Sequence, residues 1–172
     1  MVAPMKLALA LAATLSFATA AHAEPTWTVQ VDPLTTALGF VHLQVEHALA
    51  PHWSVYLGPS LKLFPGLLAE DGDIAYTGIG GELGVRYYFC GSTPRGSWVM
   101  VRGVLAHLSS DEGPELSGVG GYVSALGGYT WIFDGRWVVA LGLGIQYLDY
   151  ELGNAGVKGV LPAAHTAIGV AF

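Results

Sequence analysis

The chain has one cysteine, few charges and no long apolar run beyond its start, and each shortage removes a class of protein. Cys90 alone cannot form an intramolecular disulfide, so no disulfide framework staples the fold. Lysine and arginine number 7 against 13 aspartate and glutamate, and the formal charge of −6 argues against a nucleic-acid partner. Charged residues make up 12% of the chain and hydrophobic residues 52%, a composition unusual for an ordinary water-facing domain. Beyond residue 23 the longest apolar run, Trp137 to Ile145, is about half of the ~18 residues that a membrane helix needs, and it carries two glycines. No nucleotide, metal or haem motif is present, so no cofactor and no metal site is expected.

The first residues form an export signal. Lys6 supplies a positive start, Leu7 to Ala20 an apolar stretch, and Ala21-His22-Ala23 a small-x-small cleavage site. Residues 1–23 are therefore expected to be removed, leaving Glu24 to Phe172 as one domain of 172 − 23 = 149 residues with a formal charge of −7 once Lys6 is gone. No cysteine stands at the cleavage site to carry a lipid anchor.

An apolar composition without a membrane helix leaves one way to span a bilayer. Only helices and closed barrels satisfy every backbone N–H and C=O without water. Turn signals at Asp32-Pro33, Ala50 to His52, Pro65 to Asp73, Gly91 to Gly96, Ser109 to Pro114, Asp134-Gly135 and Gly153 to Gly156 divide the chain into eight strands. The expected strands are Thr26 to Val31, Thr36 to Leu49, Trp53 to Phe64, Ala75 to Phe89, Ser97 to Leu108, Gly118 to Phe133, Arg136 to Glu151 and Gly159 to Phe172. Most exceed the ~9–11 residues of a tilted membrane strand.

Alternation along these strands sorts residues into two faces. Val41, Leu43 and Val45 oppose His42, Gln44 and Glu46; Val55, Leu57 and Leu61 oppose Ser54, Tyr56, Ser60 and Lys62. Leu83, Val85 and Tyr87 oppose Glu82 and Arg86, Val99 and Val101 oppose Arg102, and Ile168, Val170 and Phe172 oppose His165. Such a pattern fits either a soluble barrel with an apolar interior or a membrane barrel with an apolar exterior. The tryptophans decide in favour of the second. With strands alternating up and down from a periplasmic N-terminus, Trp27, Trp53, Trp98, Trp131 and Trp137 all fall at the periplasmic edge, as an interfacial girdle would. The acidic breaks, Glu70-Asp71-Gly72-Asp73 and Asp111-Glu112 with Glu115, then become outer loops, read as solvated surface because neither has the spacing of a calcium loop.

The expected fold is thus all-β, an eight-stranded antiparallel up-and-down transmembrane barrel. In strand pattern, girdle and the terminal "AIGVAF", the chain from Glu24 to Phe172 resembles the small OmpA-like and OmpX-like outer-membrane barrels of Gram-negative bacteria. The resemblance implies export to the outer membrane, contact with its lipid and lipopolysaccharide, and recognition of Phe172 by the barrel-assembly machinery. It implies a structural or surface-interaction role without enzymatic activity, and a monomer is expected.

Two alternatives have residues behind them. The stretch "HLSSDE" places His107 two residues before Ser109 and resembles the His-x-Ser element of lipid A deacylases, although Ser110 stands where that family has asparagine and no acidic partner is evident on the next strand. The inward charges Glu46, Lys62, Glu82, Arg86 and Arg102 could line a narrow gated channel. A lumen only wide enough for side chains favours a salt-bridged plug instead, with Arg102 placed diagonally between Glu82 and Arg86.

Overall fold

The computed structural model describes residues 24–63, 76–110, 117–152 and 155–172. The strands are β1 (Trp27–Val31), β2 (Phe40–Ala50), β3 (Trp53–Lys62), β4 (Tyr76–Ser92), β5 (Arg95–Ser110), β6 (Ser117–Phe133), β7 (Trp137–Leu152) and β8 (Ala155–Ala171), with one short helix, α1 (Pro33–Ala37), between β1 and β2. Each strand pairs antiparallel with the next, and β8 pairs with β1 to close the ring. The closing contact extends to the last residue: Phe172 N–H donates to the Trp27 carbonyl, and the Phe172 carbonyl accepts from Thr26 and Trp27.

Register fixes how the barrel is wound. Starting at Thr28, successive partners are Glu46, Tyr56, Gly84, Arg102, Ser124, Gln146 and Leu161. Thr28 also faces Ala171, so the circuit returns 171 − 161 = 10 residues displaced along β8. Eight strands with that stagger tilt by roughly 35–45° and enclose a space that side chains can fill. Period-2 alternation sends Leu57, Leu83, Val101, Val123, Leu143 and Ile168 outward, where they are exposed, while Gln44, Glu46, Arg86 and Arg102 are buried inside.

The chain departs from the sequence expectation after β1. The second strand, expected from Thr36, begins at Phe40, because Asp32-Pro33 starts a helix. The Asp32 carboxylate accepts from the N–H groups of Leu34 and Thr35 at 3.0 and 3.1 Å, and Pro33 opens the helix, where its missing N–H costs nothing. Gly39 ends this segment with φ of +93°, a conformation that favours glycine. Two other breaks are shorter than expected: β4 and β5 run on to Ser92 and from Arg95, and β8 begins at Ala155. Among the described residues β1 to β3 are 5, 11 and 10 residues long while β4 to β8 are 16 or 17.

Candidate functional site in the barrel interior

The interior is built in layers, each set by register. Near the tryptophan end, Tyr88, Trp98, Gly128, Gly142 and His165 occupy one row around β4 to β8. The two glycines are what admit an indole. A Cβ at either would lie 2.5 Å from the Trp98 ring, so the ring extends across both strands until it meets His165 edge-on at 5.8 Å between centroids. Its Nε1–H donates to Thr130 Oγ1 at 2.9 Å. Trp98 is therefore fully buried, which corrects its expected place in the girdle. Trp27, Trp53, Trp131 and Trp137 do face outward near that end, and Trp53 and Trp131 pack against Tyr87 and Tyr129.

Above this layer lies the best-satisfied ion pair. Arg86 Nη1 donates to Glu46 Oε2 at 2.9 Å with both side chains buried. Glu46 also accepts from Gln30 Nε2 at 3.0 Å, from Tyr88 Oη at 3.2 Å and from Ser54 Oγ. The Arg86 guanidinium lies 4.4 Å from the Trp98 ring centroid, which places a cation on the ring face. A desolvated charge pair survives only when its remaining hydrogen-bond positions are met, and here most of them are.

The next layer is less complete. Glu82 Oε2 is 3.1 Å from His42 Nδ1, while Glu82 Oε1 and the hydroxyl of Tyr56 have no hydrogen-bond partner. Arg102, expected to neutralise Glu82, is directed elsewhere: to Ser124 Oγ at 3.0 Å, His165 Nδ1 at 3.3 Å and the Ala164 carbonyl at 3.4 Å. The reason is steric. The Tyr56 ring lies across Gly84, the residue opposite Arg102, within 2.2 Å of where a Cβ would be, and so fills the place where the three charges would meet. Lys62, expected inside with the others, is only partly buried at the far end of β3, with its ammonium 4.6 Å from the Phe40 ring centroid.

His165 connects two groups of charges. Arg86 Nη2 approaches its Nε2 and Arg102 Nη1 its Nδ1, both at 3.3 Å. Arginine only donates and a neutral imidazole accepts at one nitrogen, so one contact is not a hydrogen bond. It is the contact at Nδ1, because Asp32 Oδ2, a buried acceptor without a hydrogen bond, lies 3.7 Å from that nitrogen and is suited to its proton. The interior thus carries a row of polar side chains from Asp32 past His165 and Arg86 to Glu46.

Alternation along the strands turns His42, Tyr56 and His165 inward with the charges, as the structure has them, whereas Asp32 and Trp98 are not expected there. For Trp98 the signal was present: Val99 and Val101 face outward, so alternation turns Trp98 inward with Arg102. His107 and Ser109 share the outward face near the far end of β5, where Ser109 Oγ lies 3.2 Å from Thr77 Oγ1. Glu112 and Glu115, and the acidic stretch Glu70 to Asp73, lie outside the described residues. Among the described residues no three His, Cys, Asp or Glu side chains gather as metal ligands. No family model matches the chain, and neither the curated proteins nor the solved structures contain a match to it.

Proposed function

We propose that the chain is an integral outer-membrane β-barrel of the small OmpA-like or OmpX-like kind, serving envelope structure or surface interaction without enzymatic chemistry. One observation carries the reading: the faces are inverted relative to a water-soluble protein. Large apolar residues are exposed on the outside of every strand, from Trp27 and Leu43 through Leu83, Val101 and Leu143 to Ile168, while carboxylates, guanidiniums and amides are buried within. A soluble monomer seldom exposes a contiguous apolar patch of more than a few hundred Å², whereas in a bilayer this exterior faces hydrocarbon and the outward tryptophans sit at one interface. Interior layers filled by Trp98, Tyr56 and the Glu46–Arg86 pair favour a plug over a conducting path.

The test is expression of the whole chain in a Gram-negative host. The protein is expected in the outer-membrane fraction, and a folded form that resists detergent should migrate differently on gels before and after boiling. Recovery as a soluble periplasmic protein would overturn the proposal.

A further inference from the structure

The interior is not filled evenly along its length. In the half toward the tryptophans, inward residues of β6 to β8 such as Thr130, Val138, Ala140, His165 and Ala167 are at most 1% exposed. In the other half alternation turns Tyr122, Gln146, Leu148 and Tyr150 inward, yet these are only half-buried, and Leu161 and Val157 on the same face of β8 are 38% and 51% exposed. Register joins them into one surface: Tyr122 pairs with Leu148, Gln146 with Leu161 and Tyr150 with Val157. This half of the lumen is therefore a recess, and it is blind, because the layer of Trp98 and Arg86 beneath it is fully packed.

At the base of the recess are polar atoms without a partner. Glu82 Oε1 and Tyr56 Oη are buried and make no hydrogen bond. The phenols of Tyr56 and Tyr122 each interact electrostatically with both Glu82 and Arg102, so these four groups stand together. The next inward residue of β4 toward the open half is Gly80, so that strand puts no side chain over Glu82. A carboxylate oxygen and a hydroxyl are costly to bury unpaired, and this pair is placed to receive hydroxyl groups from a ligand.

The charge of the interior narrows the class. Its carboxylates are Asp32, Glu46 and Glu82 and its cations Lys62, Arg86 and Arg102, three of each among the described residues. An ion of either sign would enter without a counter-charge, so the ligand is neutral. The walls above the base are two phenol rings and the aliphatic side chains of Leu148 and Leu161, which suit C–H groups and not a second polar edge. We propose that the half of the lumen opposite the tryptophans binds one neutral pyranose ring, with hydroxyls on Glu82 Oε1 and Tyr56 Oη and a C–H face against Tyr122 and Leu161. An eight-stranded barrel has width for one such ring. The site goes beyond the membrane reading and does not depend on it, since the lumen is the same whether or not the exterior faces lipid.

The test is calorimetric titration of the full chain, folded in a sugar-free detergent, with the methyl glycosides of glucose, galactose and mannose. At least one is expected to bind at millimolar concentration. The methyl glycosides of the corresponding uronic acid and 2-amino sugar, which put a negative or a positive charge on the same ring, should bind about tenfold more weakly, and cyclohexylmethanol, which lacks the ring hydroxyls, should not bind. Leu161→Trp narrows the recess without touching its polar base and should abolish binding while the heat-dependent gel shift stays unchanged. Glu82→Gln should weaken binding about tenfold, and Leu161→Trp serves alone if that variant does not fold. A methyl disaccharide that binds more tightly than its monosaccharide supports the end of a glycan as the natural ligand, and one that binds more weakly supports a free sugar. No binding by any of the three neutral glycosides, binding that survives Leu161→Trp, or charged analogues that bind as tightly as the neutral ring would overturn the proposal.

Discussion

Replacing Arg86 with methionine is expected to lower the stability of the detergent-solubilised barrel by about 3–5 kcal/mol, the usual effect of removing one partner of a buried ion pair. The substitution fills much of the space but strands the Glu46 carboxylate, which keeps only the neutral donors Gln30, Ser54 and Tyr88. It also removes the cation from the face of Trp98 and the donor to His165 Nε2. Changing Glu46→Gln as well should restore a large part of the loss, because an amide in that position is neutral and can still accept hydrogen bonds. A double-mutant cycle read by thermal denaturation measures this coupling directly. If Arg86→Met and the double variant melt together with the unaltered protein, the pair contributes nothing and the interior is held by apolar packing alone.

How far the sequence reveals this arrangement depends on the range of the interaction. Alternation is local, and it assigns Glu46, Glu82, Arg86 and Arg102 to the interior because each has apolar neighbours one residue away on both sides or on one. Its position near a strand start puts Trp98 at the rim, whereas its parity with Arg102 puts it inside; position along a strand and face of a strand are separate signals. Asp32-Pro33 is legible as a helix start as well as a turn, since a capping carboxylate followed by proline is what a first helical turn needs. What cannot be read locally is who meets whom across the lumen. His42 reaches Glu82 across the intervening β3, and Asp32 reaches Thr166 from 134 residues away in sequence only after the ring has closed with its stagger of ten. The glycines are the second reason. Gly84, Gly128 and Gly142 appear in the sequence as gaps in the pattern, and which aromatic ring enters each gap depends on neighbours that the pattern does not name.

Trp98 gives the second large effect and the clearest check on the layer it forms. Trp98→Ala should destabilise the barrel by about 3–5 kcal/mol, on the order of 10 °C in melting temperature for a chain of this size, since the indole is fully buried and the glycines beneath it cannot fill the space. The loss also leaves Thr130 Oγ1 without its indole donor and Arg86 without its ring face. The reverse substitution tests the same contact from the other side. Gly142→Val should be comparably damaging with Trp98 in place, because its Cβ would lie 2.5 Å from the ring. Combining Trp98→Leu with Gly142→Val exchanges a large and a small residue across the same contact, and should be more stable than Gly142→Val alone. Planar-bilayer recording adds a readout that stability does not: Trp98→Ala removes the widest side chain of the layer, so brief conductance steps are expected where the unaltered protein shows almost none. If Gly142→Val is tolerated as well with Trp98 as without it, the ring does not cross that strand, and the plug must lie in another layer.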